Sequence, residues 1–326
     1  MTPRRPMKLK RRLGLFIRPL RYALAVPALD AFRLIAGILP HRAGVRVGRW
    51  IGRGVALFDA PQRRLAQRQL KRAGISSDPA ELRRLSTEIF LQICMGAVEA
   101  LHSIHWSAEQ FRAHVGFEGL PLIKAALECK QGFIMVSAHL GNWELLPRVY
   151  HAYTGQSLTA VMAAQNNDLV TQWLIRWRQV KGQIKLLPGN ETLKIVRHLR
   201  GGGALIMVAD QDSTRSRGIF VDFFGRPAYT PAGPATLARR MGVPLIPAVI
   251  VRDPAHPLRH QILIAEPIHP DPRLEDEADI ERLTQAYTRI LEGWIRQYPT
   301  QWVWIHDRWR HRPGQKIGIR SAQRKK

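Results

Sequence analysis

The stretch GFIMVSAHLGNWELL, residues 132–146, decides the fold of this chain. An almost wholly apolar run comes first, and a histidine, an asparagine and a glutamate follow it directly. A short apolar run that ends in polar residues predicts a buried β-strand, here followed by a helix from about Trp143. His139 therefore falls at the carboxyl end of a strand, which is where ligands bind in open α/β sheets.

The alternation of strands and helices continues toward the C-terminus, and the last helix is predicted from about Glu275 to Tyr298. This order predicts an α/β fold with a mostly parallel central sheet flanked by helices. Residues 40–115 read as helical, and a long polar loop is expected between ALIMVAD and ATLARRMG. The remaining predicted strands are SLTAVMAA (157–164), IKLLP (184–188), ALIMVAD (204–210), PLIPAVIV (244–251) and QILIAEPI (261–268).

The composition limits the class of protein. A chain of 326 residues with 45% hydrophobic content is long enough for a sizeable core and is not generally disordered. Its formal net charge of +25 favours an anionic partner, which is nucleic acid, an anionic lipid surface or an anionic substrate. Two distant cysteines, Cys94 and Cys129, provide neither a disulfide framework nor a metal-ligand spacing, which fits a reducing compartment.

Residues 1–40 form a basic segment with interrupted hydrophobicity. The segment lacks the continuous apolar core of a signal peptide and has no window of about 18 uncharged apolar residues, so a spanning helix is disfavoured. Its mixture of apolar and cationic residues predicts a helix that lies in an anionic membrane interface, and the alternative is a solvated basic tail before an ordinary helix. The charges that interrupt it are Arg18, Arg21, Asp30 and Arg33.

The spacing of His139 and Glu144 constrains how they can meet. On one continuous helix, residues five apart diverge by roughly 140°, so the pair requires His139 in the turn and Glu144 in the first helical turn. Asn142 is then the expected helix N-cap. A carboxylate at that position is able to bind one imidazole nitrogen and leave the other to accept a proton. The alternative is that both side chains only form hydrogen bonds within the strand–helix turn and have no catalytic role.

Other chemistries have weaker support at this site. A helical zinc site needs two histidines one turn apart, and only one is present. No G-x-S-x-G elbow accompanies the histidine, so Ser137 is a poor candidate for an esterase nucleophile. A general base that activates a hydroxyl remains.

Three blocks in this order resemble a known family. They are the H-x-x-x-x-E motif of His139 and Glu144, ADQDSTRSRGIFVDFFGRPAYTPAGPATLARRMGVPLIPAV at 209–249, and QWVWIHDRWRHRP at 301–313. Together they resemble the lipid A biosynthesis (late) acyltransferases of bacteria, within the wider lysophospholipid acyltransferase group. The similarity covers about Leu39 to Pro313 and implies a glycerolipid acyltransferase-like fold. Members of this family commonly begin with a hydrophobic anchoring helix, which is replaced here by the interrupted segment 1–40.

The resemblance implies a reaction and its residues. His139 would deprotonate a hydroxyl of a lipid or glycolipid acceptor, such as a lipid A precursor, while Glu144 orients the imidazole and stabilises its charged form. The donor would be an acyl thioester, either acyl carrier protein (ACP) or coenzyme A (CoA), and no covalent acyl-enzyme, cofactor or metal is implied. Arg178 matches the family's arginine, with Arg176 as competitor, and would bind a phosphate. Asp210 matches the family's aspartate.

The resulting expectations divide the chain into a membrane-interface segment at 1–40, an acyltransferase domain at 41–313 and a basic tail at 314–326. Arg178, Asp210 and Asp212 are the expected substrate-binding residues. The expected location is the cytoplasmic face of the bacterial inner membrane, with peripheral or monotopic attachment to its anionic surface. The charge of +25 alone favours the alternative of a nucleic-acid-binding protein, but no nucleic-acid-binding motif accompanies it.

Overall fold

The computed structural model describes residues 27, 30, 31, 33–162, 168–179, 184–189, 191–212, 217–315 and 317. After residue 40, the described residues contain ten α-helices: α1 His41–Phe58, α2 Ala60–Arg72, α3 Pro79–His102, α4 Ala108–His114, α5 Leu120–Glu128, α6 Leu146–Thr154, α7 Asp168–Arg178, α8 Thr192–Arg200, α9 Gly233–Met241 and α10 Asp276–Gln297. The strands are β1 Val115–Phe117, β2 Phe133–Ser137, β3 Leu158–Met162, β4 Ile184–Pro188, β5 Ala204–Val208, β6 Gly218–Phe223, β7 Arg226–Pro231, β8 Leu245–Arg252 and β9 His260–Ile264.

Seven strands form one central sheet in the order β1-β9-β8-β2-β5-β3-β4. All neighbouring pairs are parallel except β8 and β9, which are antiparallel. Helices connect the parallel strands, because a parallel crossover needs a long return segment. The predicted α/β fold with a mostly parallel sheet flanked by helices is confirmed.

Strand β2 lies at the centre of this sheet, between β5 and β8. All five of its residues are buried, and alternate side chains enter different hydrophobic clusters. Ile134 packs in the cluster that also contains Leu283 of α10, whereas Met135 packs in the cluster that also contains Val149 of α6. Burial on both faces explains why the strand reads as a continuous apolar run rather than an alternating one.

The register of β2 and β5 positions the candidate site. Phe133 pairs with Ala204, and the pairing ends with Ser137 opposite Val208. Because the two strands are parallel, the residues that follow them leave the sheet at the same edge. His139 and Asp210 are therefore brought together although they are 71 residues apart in the sequence.

The structure contains two strand features that the sequence did not predict. Residues 40–115 are mainly helical as expected, but the short strand β1 begins at Val115 and is recognisable only through its pairing with β9. The expected polar loop before α9 contains the antiparallel hairpin β6–β7. Its turn uses Phe224 and Gly225, both with positive φ, which is the backbone twist that tight hairpins favour.

The N-terminal prediction lies almost wholly outside the described residues, which include only parts of 27–40. Among the described residues, no helix is both long enough and apolar enough to cross a bilayer. The proposed division into segments at 1–40, 41–313 and 314–326 stays a prediction.

Candidate active site

The turn that carries His139 is held from two sides. Gly141 has a φ of +63°, and a Cβ at this position would lie 1.8 Å from the carbonyl oxygen of Ile250, so only glycine fits. The Gly141 amide donates to the carbonyl oxygen of Gln301 at 2.9 Å, and the Val303 amide donates to that of His139 at 3.2 Å. Strand β8 and the C-terminal segment thus fix the backbone beneath the histidine.

Asp210 is the carboxylate that binds the His139 ring. Its Oδ1 lies 2.7 Å from Nδ1 of His139, and its Oδ2 accepts the His139 amide at 2.8 Å. Oδ2 also accepts the indole N–H of Trp302 at 2.6 Å. Because an ionised carboxylate only accepts, Nδ1 carries the proton, and Nε2 has a lone pair with which to accept another. Trp302 itself packs in the hydrophobic core, so its indole holds Asp210 in place.

The electrostatics of this pair favour its charged form. Burial by itself lowers the pKa of His139, but the charge and hydrogen bond of Asp210 outweigh it, and the pKa lies above its ordinary value. Burial likewise opposes ionisation of Asp210, yet the contacts with His139 and Trp302 hold the pKa of that carboxyl below its ordinary value. The imidazole is therefore a stronger base than one in water.

Glu144 makes a different contact from the one expected. Its carboxylate binds the guanidinium of Arg178 through two hydrogen bonds, one of them from Nε to Oε2 at 2.9 Å. Among the described residues, Glu144 and His139 share no hydrogen bond, so Asp210 replaces Glu144 as the partner of the imidazole. Glu144 is nevertheless near enough for its charge to raise the pKa of His139. Arg178 rather than the exposed Arg176 is the arginine brought to the site.

The expected N-cap role of Asn142 is wrong. Helix α6 begins at Leu146, after a turn formed by residues 143–145, and its N-cap is Leu145. The Asn142 side chain instead points into the protein and donates to the carbonyl oxygen of Gly96 at 3.2 Å and to Glu99 Oε2 at 3.3 Å. Asn142 therefore anchors the turn to α3 and does not cap α6.

Sequence reasoning missed the buried cluster around Glu99. The carboxylate receives Arg252 Nη1 at 2.9 Å, and it lies 3.2 Å from Nε2 of His260 and 3.1 Å from Nε2 of His41. Burial opposes its ionisation, but the charge of Arg252 and the contacts with the histidines hold the pKa of Glu99 well below its ordinary value. The only sequence signal was a glutamate inside an apolar helix. Through Asn142 this cluster supports the His139 turn.

The side chains of Asp212 and Ser137 are buried. Asp212 is buried and binds Nη2 of Arg310 at 3.0 Å and Nδ1 of His311 at 2.6 Å. The Ser137 side chain is fully buried within β2, which puts its hydroxyl out of reach of an ester. In the part of the chain that the structure describes, no three His, Cys, Asp or Glu side chains group as ligands for a metal ion.

A family of known proteins matches this sequence over most of its length. The sequence profile of the family described as bacterial lipid A biosynthesis acyltransferase matches residues 17–311. A lipid A biosynthesis palmitoleoyltransferase of Escherichia coli (strain K12) is 27% identical over 281 residues, covering 84% of this chain and 87% of the relative. A lipid A biosynthesis lauroyltransferase of the same organism is 24% identical over 277 residues, covering 84% and 88%.

A relative with another acceptor in its name also matches. A phosphatidylinositol mannoside acyltransferase of Mycobacterium tuberculosis (strain CDC 1551 / Oshkosh) is 26% identical over 196 residues, covering 59% of this chain and 58% of the relative. The names of these relatives share acyl transfer and differ in the acceptor. Because the family profile spans most of the sequence, this chain is an acyltransferase that belongs to the bacterial lipid A biosynthesis acyltransferase family.

Proposed function

We propose that this acyltransferase moves a fatty acyl chain from an acyl thioester to a hydroxyl of a lipid or glycolipid acceptor, such as a lipid A precursor. The observation that carries the proposal is the imidazole of His139, oriented by Asp210 at the carboxyl ends of β2 and β5. A base oriented in this way fits direct activation of a hydroxyl. The names of the relatives support a glycolipid acceptor.

The proposed reaction proceeds by direct attack. Nε2 of His139 takes the proton of the acceptor hydroxyl while its oxygen attacks the thioester carbonyl, so a C–O bond forms and the C–S bond breaks. The imidazolium then returns the proton to the departing thiolate. Asp210 stabilises the imidazolium through Nδ1, and the acyl group is never covalently attached to the protein.

Glu144 and Arg178 have complementary roles in this proposal. The carboxylate of Glu144 fixes the guanidinium of Arg178 and adds negative potential near His139. Arg178 presents its planar donors to a phosphate of the donor carrier or of the glycolipid. Asp212 acts indirectly, by holding Arg310 and His311 next to the loop that carries Asp210.

The proposed setting is the cytoplasmic face of the bacterial inner membrane, with peripheral attachment to anionic lipid. The net charge of +25 supports this setting, because acyl-ACP, acyl-CoA and anionic headgroups are all negatively charged. Because acyl-ACP and acyl-CoA are both anionic, the donor has to be identified by an assay.

The test is an acyl-transfer assay with the purified full chain. Radiolabelled acyl-ACP and acyl-CoA are offered separately with a lipid A precursor or a phosphatidylinositol mannoside, and products are separated by chromatography. We expect label in the acceptor with at least one donor and no free fatty acid when the acceptor is omitted. Release of fatty acid without acceptor would show an esterase instead. Inactivity with all pairs, together with tight salt-sensitive DNA binding, would favour the nucleic-acid alternative.

The pH dependence tests the contact between Asp210 and His139. Since the base acts when neutral, kcat/KM should rise with pH through the raised pKa of His139 and then level off. Asp210→Asn removes the charge that raises this pKa, so the inflection should move to lower pH. The plateau of kcat should fall by about 100-fold, at the lower end of what a positioned base contributes.

Asp212→Asn is the matched control for that experiment. It neutralises a neighbouring buried carboxylate whose contacts are Arg310 and His311 rather than His139. We expect no acid shift of the inflection in this variant. An unchanged inflection in Asp210→Asn would contradict the proposed orienting contact.

A further inference from the structure

Helix α1, His41–Phe58, is fixed to the protein along a stripe of glycines. A Cβ at Gly48 would lie 2.8 Å from the Cα of Met95, and one at Gly52 would lie 2.7 Å from the Cα of Leu91. Such close approach is possible only without side chains, so α1 packs directly on the backbone of α3. The opposite side of α1 is therefore held in one orientation.

That opposite side exposes large apolar side chains. Trp50 and Leu57 are each 69% exposed, and Phe58 is 90% exposed. Val47, Ile51 and Val55 add smaller exposed apolar surface on the same helix. Grouped apolar side chains of this size mark an interaction surface rather than ordinary exposure.

A row of arginines borders the apolar side. Arg42, Arg46, Arg49 and Arg53 are all exposed. With about 100° between successive residues, these four fall within an arc of roughly 60°, and Leu57 and Trp50 fall directly beside that arc. The guanidinium of Arg53 lies 5.0 Å from the centre of the Trp50 ring. The helix contains no aspartate or glutamate.

We propose that this surface, defined by Arg42, Arg46, Trp50, Arg53, Leu57 and Phe58 and called the α1 docking surface, binds an anionic lipid bilayer. The apolar side chains enter the boundary between headgroups and acyl chains, and the arginines bind the lipid phosphates. A helix with a basic side next to an apolar side lies in the plane of such an interface. This role extends beyond segment 1–40, to which the sequence assigned membrane contact.

Charge excludes the other occupants. Residues 1–26 of this chain contain lysines and arginines but no acidic residue, so they repel the arginine row. A second copy of α1 would bring the same charge. DNA would match the arginines, but it offers no apolar partner for Leu57 and Phe58. An anionic bilayer offers phosphates to the arginines and acyl chains to the apolar side chains.

The docking surface is connected to the candidate active site. His41, the first residue of α1, lies 3.1 Å from Glu99, and Glu99 also binds Asn142 in the turn after His139. Docking through α1 would thus seat the catalytic turn at the membrane that holds the acceptor. This role in catalysis rests on the proposed lipid acceptor, whereas bilayer binding is measured without acyl donor, so the two proposals fail separately.

The first test is co-flotation of the full-length protein with vesicles. Phosphatidylcholine vesicles with and without phosphatidylglycerol are compared at matched salt. We expect binding to the anionic vesicles and a partition coefficient that is roughly 10- to 100-fold lower for Arg42→Gln/Arg46→Gln/Arg53→Gln. Trp50→Ser/Leu57→Ser/Phe58→Ser should lose binding to a similar extent.

The control variants carry changes of the same kind on other helices. Arg200→Gln/Arg240→Gln/Arg289→Gln removes an equal charge from exposed positions, and Leu193→Ser removes an 80% exposed leucine. Both control variants should bind like the wild type. If the arginine control lost as much vesicle binding as the α1 arginine variant, net charge alone would explain the effect and the proposal would be overturned. Wild-type binding by both α1 variants would also overturn it.

A second readout separates α1 from segment 1–40. An environment-sensitive fluorophore is attached at Leu57→Cys in a chain carrying Cys94→Ala and Cys129→Ala, and Leu193→Cys serves as control. Anionic vesicles should shift the emission of the probe at 57 to shorter wavelength and leave the probe at 193 unchanged. A protein that floats while the probe at 57 stays in water would show docking by another segment and overturn the proposal.

Discussion

Replacement of His139 with alanine is expected to lower kcat for acyl transfer by about 100- to 10,000-fold, the usual contribution of a positioned general base. The loss follows from the contacts of the ring, because Asp210 fixes Nδ1 and only Nε2 is able to take the proton of the acceptor hydroxyl. KM should change little, since proton transfer belongs to the transition state and not to substrate binding. Steady-state kinetics of thioester consumption and acceptor labelling measure both constants.

His256→Ala is the matched control. His256 also contacts an aspartate, Asp253, at 3.0 Å, but this pair is exposed on a loop. The variant should retain wild-type kinetics. If His139→Ala kept the wild-type kcat while remaining folded by circular dichroism, the proposed base would be wrong.

Glu99→Ala is expected to be the most destabilising single change in the buried ionic cluster. It leaves the charge of Arg252 buried without its carboxylate, and removing one member of a buried ion pair costs about 3–5 kcal/mol. His260 and Asn142 lose the same acceptor. The midpoint of chemical denaturation should fall accordingly, and kcat should also fall because the His139 turn loses its anchor.

Glu88→Ala on the same helix is the control for Glu99→Ala. Glu88 lies 4.0 Å from Arg49 at a partly exposed position, where an ion pair contributes about 1 kcal/mol or less. Equal denaturation midpoints for the two variants would contradict a stabilising role of the buried cluster. A normal midpoint with reduced kcat in Glu99→Ala would limit its role to positioning.

The two predictions rest on residues that differ in how far they could be predicted from sequence. His139 was identified because an apolar strand ends just before it, which is local information. Glu99 lies in a long helix and meets Arg252, which is 153 residues away in the sequence. Helical periodicity marks which residues face inward, but it does not say which charges meet there.

The hydrogen-bond partner of His139 shows the same difference between local sequence information and tertiary contacts. Local spacing made Glu144 the nearest carboxylate, and it does lie close to the histidine, but its hydrogen bonds go to Arg178. The end of α7 brings Arg178 to Glu144, and a planar guanidinium satisfies both carboxylate oxygens at once. The register of β2 with β5 brings Asp210 to the ring instead.

The sequence by itself determined the α/β class, the alternation of strands and helices after residue 132, the catalytic candidate His139 and the acyltransferase family. Each of these depends on residues that are near one another in the chain or on blocks in a fixed order. Only the tertiary structure decided that Asp210 orients His139, that Asn142 anchors to α3 and that α1 has an unburied basic and apolar side. The physical reason is that these contacts depend on strand register and helix packing, which join residues that no local pattern relates.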